Sequence, residues 1–304
     1  SDKSLFNQYS DQFLRGMSKR MRDTCSSSEV KEFFQERFAF FREAIRRNGM
    51  VRVRKYKIPR VSLTAKNQSS CVVVEIVSPD APFIVVTVEA LMRELDLKII
   101  TKLHPIIGVK LTEGIELEKV FLPQQKLEKY DHLYLEVETE AENETLKHFE
   151  TMIAGHMLAI QLVRNHHQNM LRTLESMIEM IQTITVVSSS TKNEWSKLCG
   201  WLQHDNYSVM GYIKFSLKDS NYSELINKID DSEMGIISPL YIEKTSSNLL
   251  NVLRTHLRKR LHSEFPFSLD RIHFKSPVLR FENMMMLSIR IPDQKLGMLE
   301  HVFL

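Results

Sequence analysis

Apolar and polar positions recur along this chain with enough regularity to place most of its elements. Cys71-Val72-Val73-Val74-Glu75-Ile76-Val77 is a β-branched run that reads as a buried strand. Ser78-Pro79-Asp80-Ala81-Pro82 breaks it, because each proline lacks an N–H and biases its predecessor away from helix. Ile84, Val88, Leu91, Met92 and Leu95 then share one face of a helix. Lys98-Ile99-Ile100-Thr101-Lys102-Leu103 follows as a second strand and ends at His104-Pro105. Strand, acidic turn, helix, strand is the opening of a ferredoxin-like βαββαβ unit, and the fold class read from it is α+β.

Upstream, residues 1–48 read as helical, with Leu5, Phe6, Tyr9, Phe13 and Met17 in one segment and Val30, Phe33, Phe34, Phe38, Phe41 and Ile45 in the next. Ser26-Ser27-Ser28 separates them, Ser27 or Ser28 serving as a cap, and Asn48-Gly49 ends the second. Residues 51–57 alternate apolar and basic, the pattern of a half-buried strand. His132 to Glu138 alternates too, which sends Glu136 and Glu138 toward solvent. Glu142 to Ile184 carries a helical pattern that would reach roughly 60 Å if unbroken; it is either one helix or two that part near Asn165-His166-His167.

Ser188-Ser189-Ser190 reads as a linker, and Thr191-x-x-Glu194 as a capping box opening a helix that runs to Leu202. Beyond it the pattern gives a strand over Val209–Leu217, a short strand or turn at 235–238 and a basic amphipathic helix from Leu249 to Leu261. Strands at 271–281, 284–291 and 298–304 complete a second, similar α+β module.

The length of 304 residues admits two domains with separate cores. A net charge of +3 is too mild to imply nucleic acid, and no apolar run approaches the roughly 20 residues that cross a bilayer. Cys25, Cys71 and Cys199 are odd in number and far apart, which argues against a disulfide framework or a thiolate metal site and favours a reducing, cytoplasmic setting. The N-terminus is polar and lacks a signal-peptide core. With no initiating methionine and a strand-like end at Val302-Phe303-Leu304, the expectation is a piece of a longer polypeptide.

Three anchors resemble the N-terminal, non-catalytic region of the large bacterial NAD-specific glutamate dehydrogenases. Asp80-Ala81-Pro82-Phe83-Ile84-Val85-Val86-Thr87-Val88, then His104-Pro105-Ile106, is similar to the family's Asp-x-Pro-Phe-(Ile/Leu)-Val-Asp-Ser-Val and His-Pro-Val. Glu194 to Leu202 with Tyr207-Ser208-Val209-Met210-Gly211-Tyr212 resembles a second family stretch. Ser276-Pro277-Val278-Leu279-Arg280, Leu287-Ser288-Ile289-Arg290, Asp293, Gly297, Glu300 and Phe303 resemble a third. Val86 departs from an acidic position, Leu279 from a histidine, and Met285-Met286 from an Asp-Tyr pair.

The resemblance implies two ACT-like modules: a helical arm at 1–50, a first module at 51–163, a helical connector and serine-rich linker at 164–190, and a second module at 191–304. It implies a regulatory and homo-oligomeric region of an enzyme that oxidises L-glutamate with NAD to 2-oxoglutarate, ammonium and NADH, this piece holding neither catalytic residues nor cofactor. The alternative is a stand-alone amino-acid-sensing module.

Among candidate sites, Asp80, Ala81, Pro82 and Phe83 with His104 form the turn where an amino-acid or carboxylate effector would meet helix N-terminal amides. The plainer reading makes Asp80 a helix cap and His104 a structural histidine. No glycine fingerprint for a dinucleotide or P-loop occurs among the nine glycines. His166 and His167, adjacent on a helix, face different directions and do not share a metal. Arg52, Arg54, Lys55 and Arg60, and Arg254, Arg258, Lys259 and Arg260, are basic stretches with little aromatic interleaving, read as solvated faces rather than nucleic-acid contacts. Met284-Met285-Met286 reads as core filling.

Overall fold

The computed structural model describes residues 2–17, 27–55, 71–217 and 226–304, apart from Gly114, Gln125, Lys126, Glu140, Val186, His262, Glu264 and Gln294. The chain divides into two compact units, Ser1–Met157 and Leu158–Leu304. Cys25, Tyr56, Lys57 and Arg60 lie outside the described residues.

The first unit opens with α1 (Asp2–Gly16) and α2 (Ser27–Arg46). After α2 the chain turns where predicted: Asn48 and Gly49 take positive φ of 54° and 122°, and their N–H groups bond the carbonyls of Ile45 and Ala44. Then come β1 (Met50–Lys55), β2 (Cys71–Pro79), α3 (Ile84–Glu94), β3 (Lys98–Leu103), β4 (Ile106–Leu111), β5 (Leu117–Phe121) and β6 (Glu128–Glu138). The sheet runs β1-β2-β6-β4-β5, antiparallel throughout, with β3 also on β6. β3 and β4 both pair with β6, one after the other, and part at His104-Pro105. The order β1, β2, β6, β3/β4 is that of a ferredoxin-like sheet. Its fourth strand, expected after a second helix, is supplied instead by β1 from upstream of the unit's first strand.

Cross-strand register assigns the two faces. Val73, Glu75 and Val77 stand opposite Glu136, Tyr134 and His132, and all point one way. Val72, Val74 and Ile76 stand opposite Val137, Leu135 and Leu133 on the other face, which is apolar over these six positions and ends in Ser78 opposite Asp131. The polar face is covered by the arm: Tyr9, Phe13, Phe33, Phe34, Phe38, Phe40 and Phe41 share a buried cluster with Val73, Val77, Tyr130 and Tyr134. Glu136, expected in solvent, is therefore fully buried and accepts from the Tyr134 hydroxyl at 3.0 Å. Alternation predicts which face a residue takes, but not whether a second layer lies on it.

α4 (Asn143–Thr183) is one continuous helix of 41 residues, without a break at the His166-His167 pair. α5 (Ser189–Trp201) follows. Its cap is Ser188, whose hydroxyl accepts from the Thr191 N–H at 3.2 Å, so the helix starts before the expected capping box and Glu194 lies within it. Either serine-rich register offers a good cap, and the upstream one wins. A π-helical turn, Leu202–Asn206, leads to β7 (Gly211–Leu217), β8 (Ile226–Lys228), β9 (Met234–Gly235), α6 (Pro239–Thr245), α7 (Leu249–Lys259), β10 (Phe267–Lys275), β11 (Asn283–Asp293) and β12 (Gly297–Phe303). The predicted strand at 271–281 stops at Lys275, because Pro277 offers no N–H and Leu279 and Phe281 take positive φ.

The second sheet runs β10-β11-β12-β7-β8, with β9 on β7. β11, β12 and β7 repeat the order of β3/β4, β6 and β2, so both antiparallel sheets are consistent with ferredoxin-like modules, β10 being an added edge. Met286 is fully buried and Met284 nearly so, as core filling requires. Among the described residues no helix is long and apolar enough to cross a membrane.

Candidate functional site

The turn between β2 and α3 brings the predicted site residues together around one residue that the sequence reading did not single out, Asp131. Its side chain, only 3% exposed, bonds His104 Nε2 at 2.5 Å through one oxygen and accepts the Ala81 N–H at 3.4 Å through the other. The Asp80 N–H is fixed to the Lys129 carbonyl at 2.8 Å. Ala81, Phe83 and His104 are half-buried and Pro82 is exposed. The helix cap falls on Phe83, in the left-handed region at φ 77°, with no side-chain capping bond; Asp80 is three residues too early to cap. Asp131 thus pins the turn to the β3–β4 break, and β6 carries it there because it faces opposite to His132. The signal that could have found it is a charged residue inside an eleven-residue strand that has to be buried.

Beneath the arm lies a second constellation. Glu75, fully buried, is held by Arg37 Nε at 2.7 Å, by Arg52 Nη2 at 2.6 Å and by His132 Nε2 at 3.1 Å. A carboxylate only accepts, so His132 donates from Nε2, and Nδ1 of the neutral ring accepts the Tyr9 hydroxyl at 2.9 Å. Burial pushes the Glu75 carboxyl up, but the His132 hydrogen bond and the charges of Arg37 and Arg52 outweigh it and hold the carboxyl at about 2. Burial pushes His132 down, against the pull of Glu75. Arg37 also bonds Glu36 at 3.0 Å, and Arg54 pairs with Glu36. The basic strand expected as a solvated face therefore spends Arg52 and Arg54 on internal ion pairs. Glu75 was legible as the lone charge within a buried valine run.

The second unit holds a matching cluster. Glu300, fully buried, accepts from Arg290 Nε at 2.7 Å, Arg260 Nη1 at 3.1 Å and the Ser288 hydroxyl. Arg290 also reaches the carbonyls of Ser263 and Arg260. Next along β12, His301 Nδ1 lies 2.9 Å from the Tyr212 hydroxyl, and burial, then the Lys214 charge, push the ring down to about 4. In each cluster the buried carboxylate is held by three side-chain donors of its own unit, the arrangement of a structural tie. Among the described residues no group of three or more His, Cys, Asp or Glu is placed to hold a metal ion. His166 accepts the Gly235 N–H at 2.9 Å through Nδ1.

Residues 10–153 match the family model described as the glutamate dehydrogenase ACT1 domain. No curated protein matches the chain. The match spans the sheet of the first unit with the greater part of its arm, and that segment is an N-terminal ACT-like region of the glutamate dehydrogenase kind, a regulatory domain associated with that enzyme.

Proposed function

We propose, from the placement of residues 10–153 among glutamate dehydrogenase ACT1 domains, that this chain is the regulatory and assembly region of a large NAD-specific glutamate dehydrogenase. The parent enzyme oxidises L-glutamate to 2-oxoglutarate and ammonium with NAD, using residues outside these two modules. The family match carries the reading. The two clusters support a non-catalytic role, since Glu75 and Glu300 are fully buried and engaged by arginines of their own unit, where acid–base chemistry needs a group that meets a substrate. The modules associate with copies of themselves and act in the cytoplasm. An amino acid or small carboxylate is the effector, received at the Asp80–Phe83 turn, where the uncapped start of α3 leaves N–H donors available.

Two measurements test this. The chain, mixed with glutamate and NAD, forms no NADH; turnover above the protein-free rate overturns the non-catalytic reading. A thermal-shift screen with the common amino acids and dicarboxylates raises the melting point for the effector, and more weakly when His104 is replaced by alanine. A flat screen overturns the effector reading and leaves the assembly role, which sedimentation of the chain tests separately: a monomer at all concentrations removes it.

A further inference from the structure

The arm is tied to the sheet by polar bonds at a buried histidine. Tyr9 of α1 and Arg37 of α2 reach down from the arm; Glu75 of β2, His132 of β6 and Arg52 of β1 reach up from the sheet. Rings close the space around the imidazole: Phe13 meets it edge-on at 4.9 Å, Phe41 stacks at 5.8 Å and Phe40 lies at 6.0 Å. In this geometry the neutral imidazole satisfies both of its partners. Nε2–H serves Glu75, and the bare Nδ1 is the acceptor that the Tyr9 hydroxyl needs.

We propose that His132 is an acid-sensitive latch for the N-terminal arm, closed when the imidazole is neutral and released when Nδ1 takes a second proton. That proton occupies the lone pair that receives the Tyr9 hydroxyl: the phenol oxygen can accept the new N–H, but only by turning its own O–H away from the ring nitrogen into an aromatic cage, where a stranded donor is costly. It also adds a third cation to a cavity that holds the guanidiniums of Arg37 and Arg52 and one carboxylate, Glu75. The other charged groups facing the cluster are Glu36 from α2, Arg54 from β1 and Glu136 from β6; Glu36 is taken by Arg37 and Arg54, and Glu136 accepts from Tyr134. Among the described residues Glu75 is the one carboxylate that bonds the ring, and two guanidiniums already share it. Burial already disfavours the charged ring, which agrees with the geometry. Release uncovers the sheet face of Glu75, Tyr134 and Glu136, which is far more polar than the face behind it and is the side of the module prepared to meet water or a partner.

Amide hydrogen exchange of the whole chain between about pH 7.5 and about pH 5.5, corrected for intrinsic rates, tests the latch. With one proton taken up on opening, protection of the α1 and α2 amides falls about tenfold for each pH unit below the ordinary imidazole value of about 6.5, while β2 and β6 stay protected. In H132Q, which keeps an N–H for Glu75 and cannot titrate, arm protection is flat over that range. Arm protection in the parent that is as flat as in H132Q overturns the proposal, as does loss of arm and sheet together. If H132Q does not fold, the imidazole is read directly by NMR: a ring that protonates above about pH 6.5 while the arm stays protected overturns the latch, and one that protonates only as the arm opens supports it.

Discussion

Replacing Glu75 by glutamine removes one charge from the first unit and changes almost no volume. The carboxylate is fully buried, with guanidiniums at 2.7 and 2.6 Å and an imidazole at 3.1 Å. Arg37, itself fully buried, is then left with its charge uncompensated on the β2 side, and breaking a buried pair from one end costs about 3–5 kcal/mol. Proton linkage gives a second route to the figure. The carboxyl sits at about 2 against an ordinary 4.5, and each unit is worth about 1.4 kcal/mol, giving on the order of 3 kcal/mol at neutral pH. For a unit the size of Ser1–Met157, a loss near 3–4 kcal/mol lowers Tm by about 6–15 °C.

The assay exploits an accident of composition. Both tryptophans, Trp195 and Trp201, lie in the second unit. Tryptophan fluorescence therefore follows that unit alone; the tyrosines are shared between the units, so the first unit's transition is the part of the near-ultraviolet tyrosine dichroism change that the tryptophan signal does not follow. The E75Q tyrosine transition moves down by the stated amount. The sign with pH is fixed as well: a depressed carboxyl stabilises fully above about 4.5 and loses that contribution as pH falls toward 2, so parent and variant curves converge on acidification. A first-unit Tm within about 2 °C of the parent, or a gap that widens toward acid, refutes the reasoning.

The other expectations concern the second unit and are read by its tryptophans. Glu300→Gln strands Arg290 and Arg260 together and lowers stability by about 3 kcal/mol in urea unfolding followed by tryptophan fluorescence. His301, held at about 4 by burial, binds its proton more readily unfolded; stability is full above about 6.5 and declines as pH falls toward 4, and His301→Gln flattens that limb. Gly235→Ala costs more than about 2 kcal/mol in the same unfolding measurement, because φ is 64° and the new Cβ is driven into the Met210 carbonyl.

Much of the first module is legible in the chain because its signals are local. The valine run of β2, the double proline before α3 and the positive φ at Asn48-Gly49 each fix conformation within a few residues. What sequence reading loses is non-local. β1 takes the edge that a strand after the second helix was expected to fill, and nothing within Met50–Lys55 says which edge it joins. Glu136 alternates just as an exposed residue would, and only the arm's rings, about a hundred residues away, put it under cover. The turn residues Ala81 and His104 were picked out, but the aspartate joining them sits 27 residues beyond His104 and shows only once β6 is aligned. The shift of the α5 cap to Ser188 is a smaller miss, two adequate caps three residues apart of which the upstream one takes the Thr191 N–H.

The buried charges raise the question of why a helical arm so rich in phenylalanine carries Arg37 and Tyr9 into its own contact surface. Aromatic packing has broad, shallow geometry: a ring pair accepts centroid separations over a range of more than 2 Å and several tilts. A contact made of Phe13, Phe33, Phe34, Phe38, Phe40 and Phe41 alone tolerates sliding of the arm by part of a turn without much loss. Arg37 does not tolerate it, because its guanidinium meets Glu75 only in one register, and a shift of one turn, about 5.4 Å, leaves both charges desolvated and unpaired. Tyr9 adds a second fixed point on the other helix, 2.9 Å from His132. Two directional bonds from two helices onto adjacent strands define position and rotation together, which the rings do not. The ions thus add less to the strength of the arm's attachment than to its uniqueness, and a single site of titration, His132, is then enough to undo it.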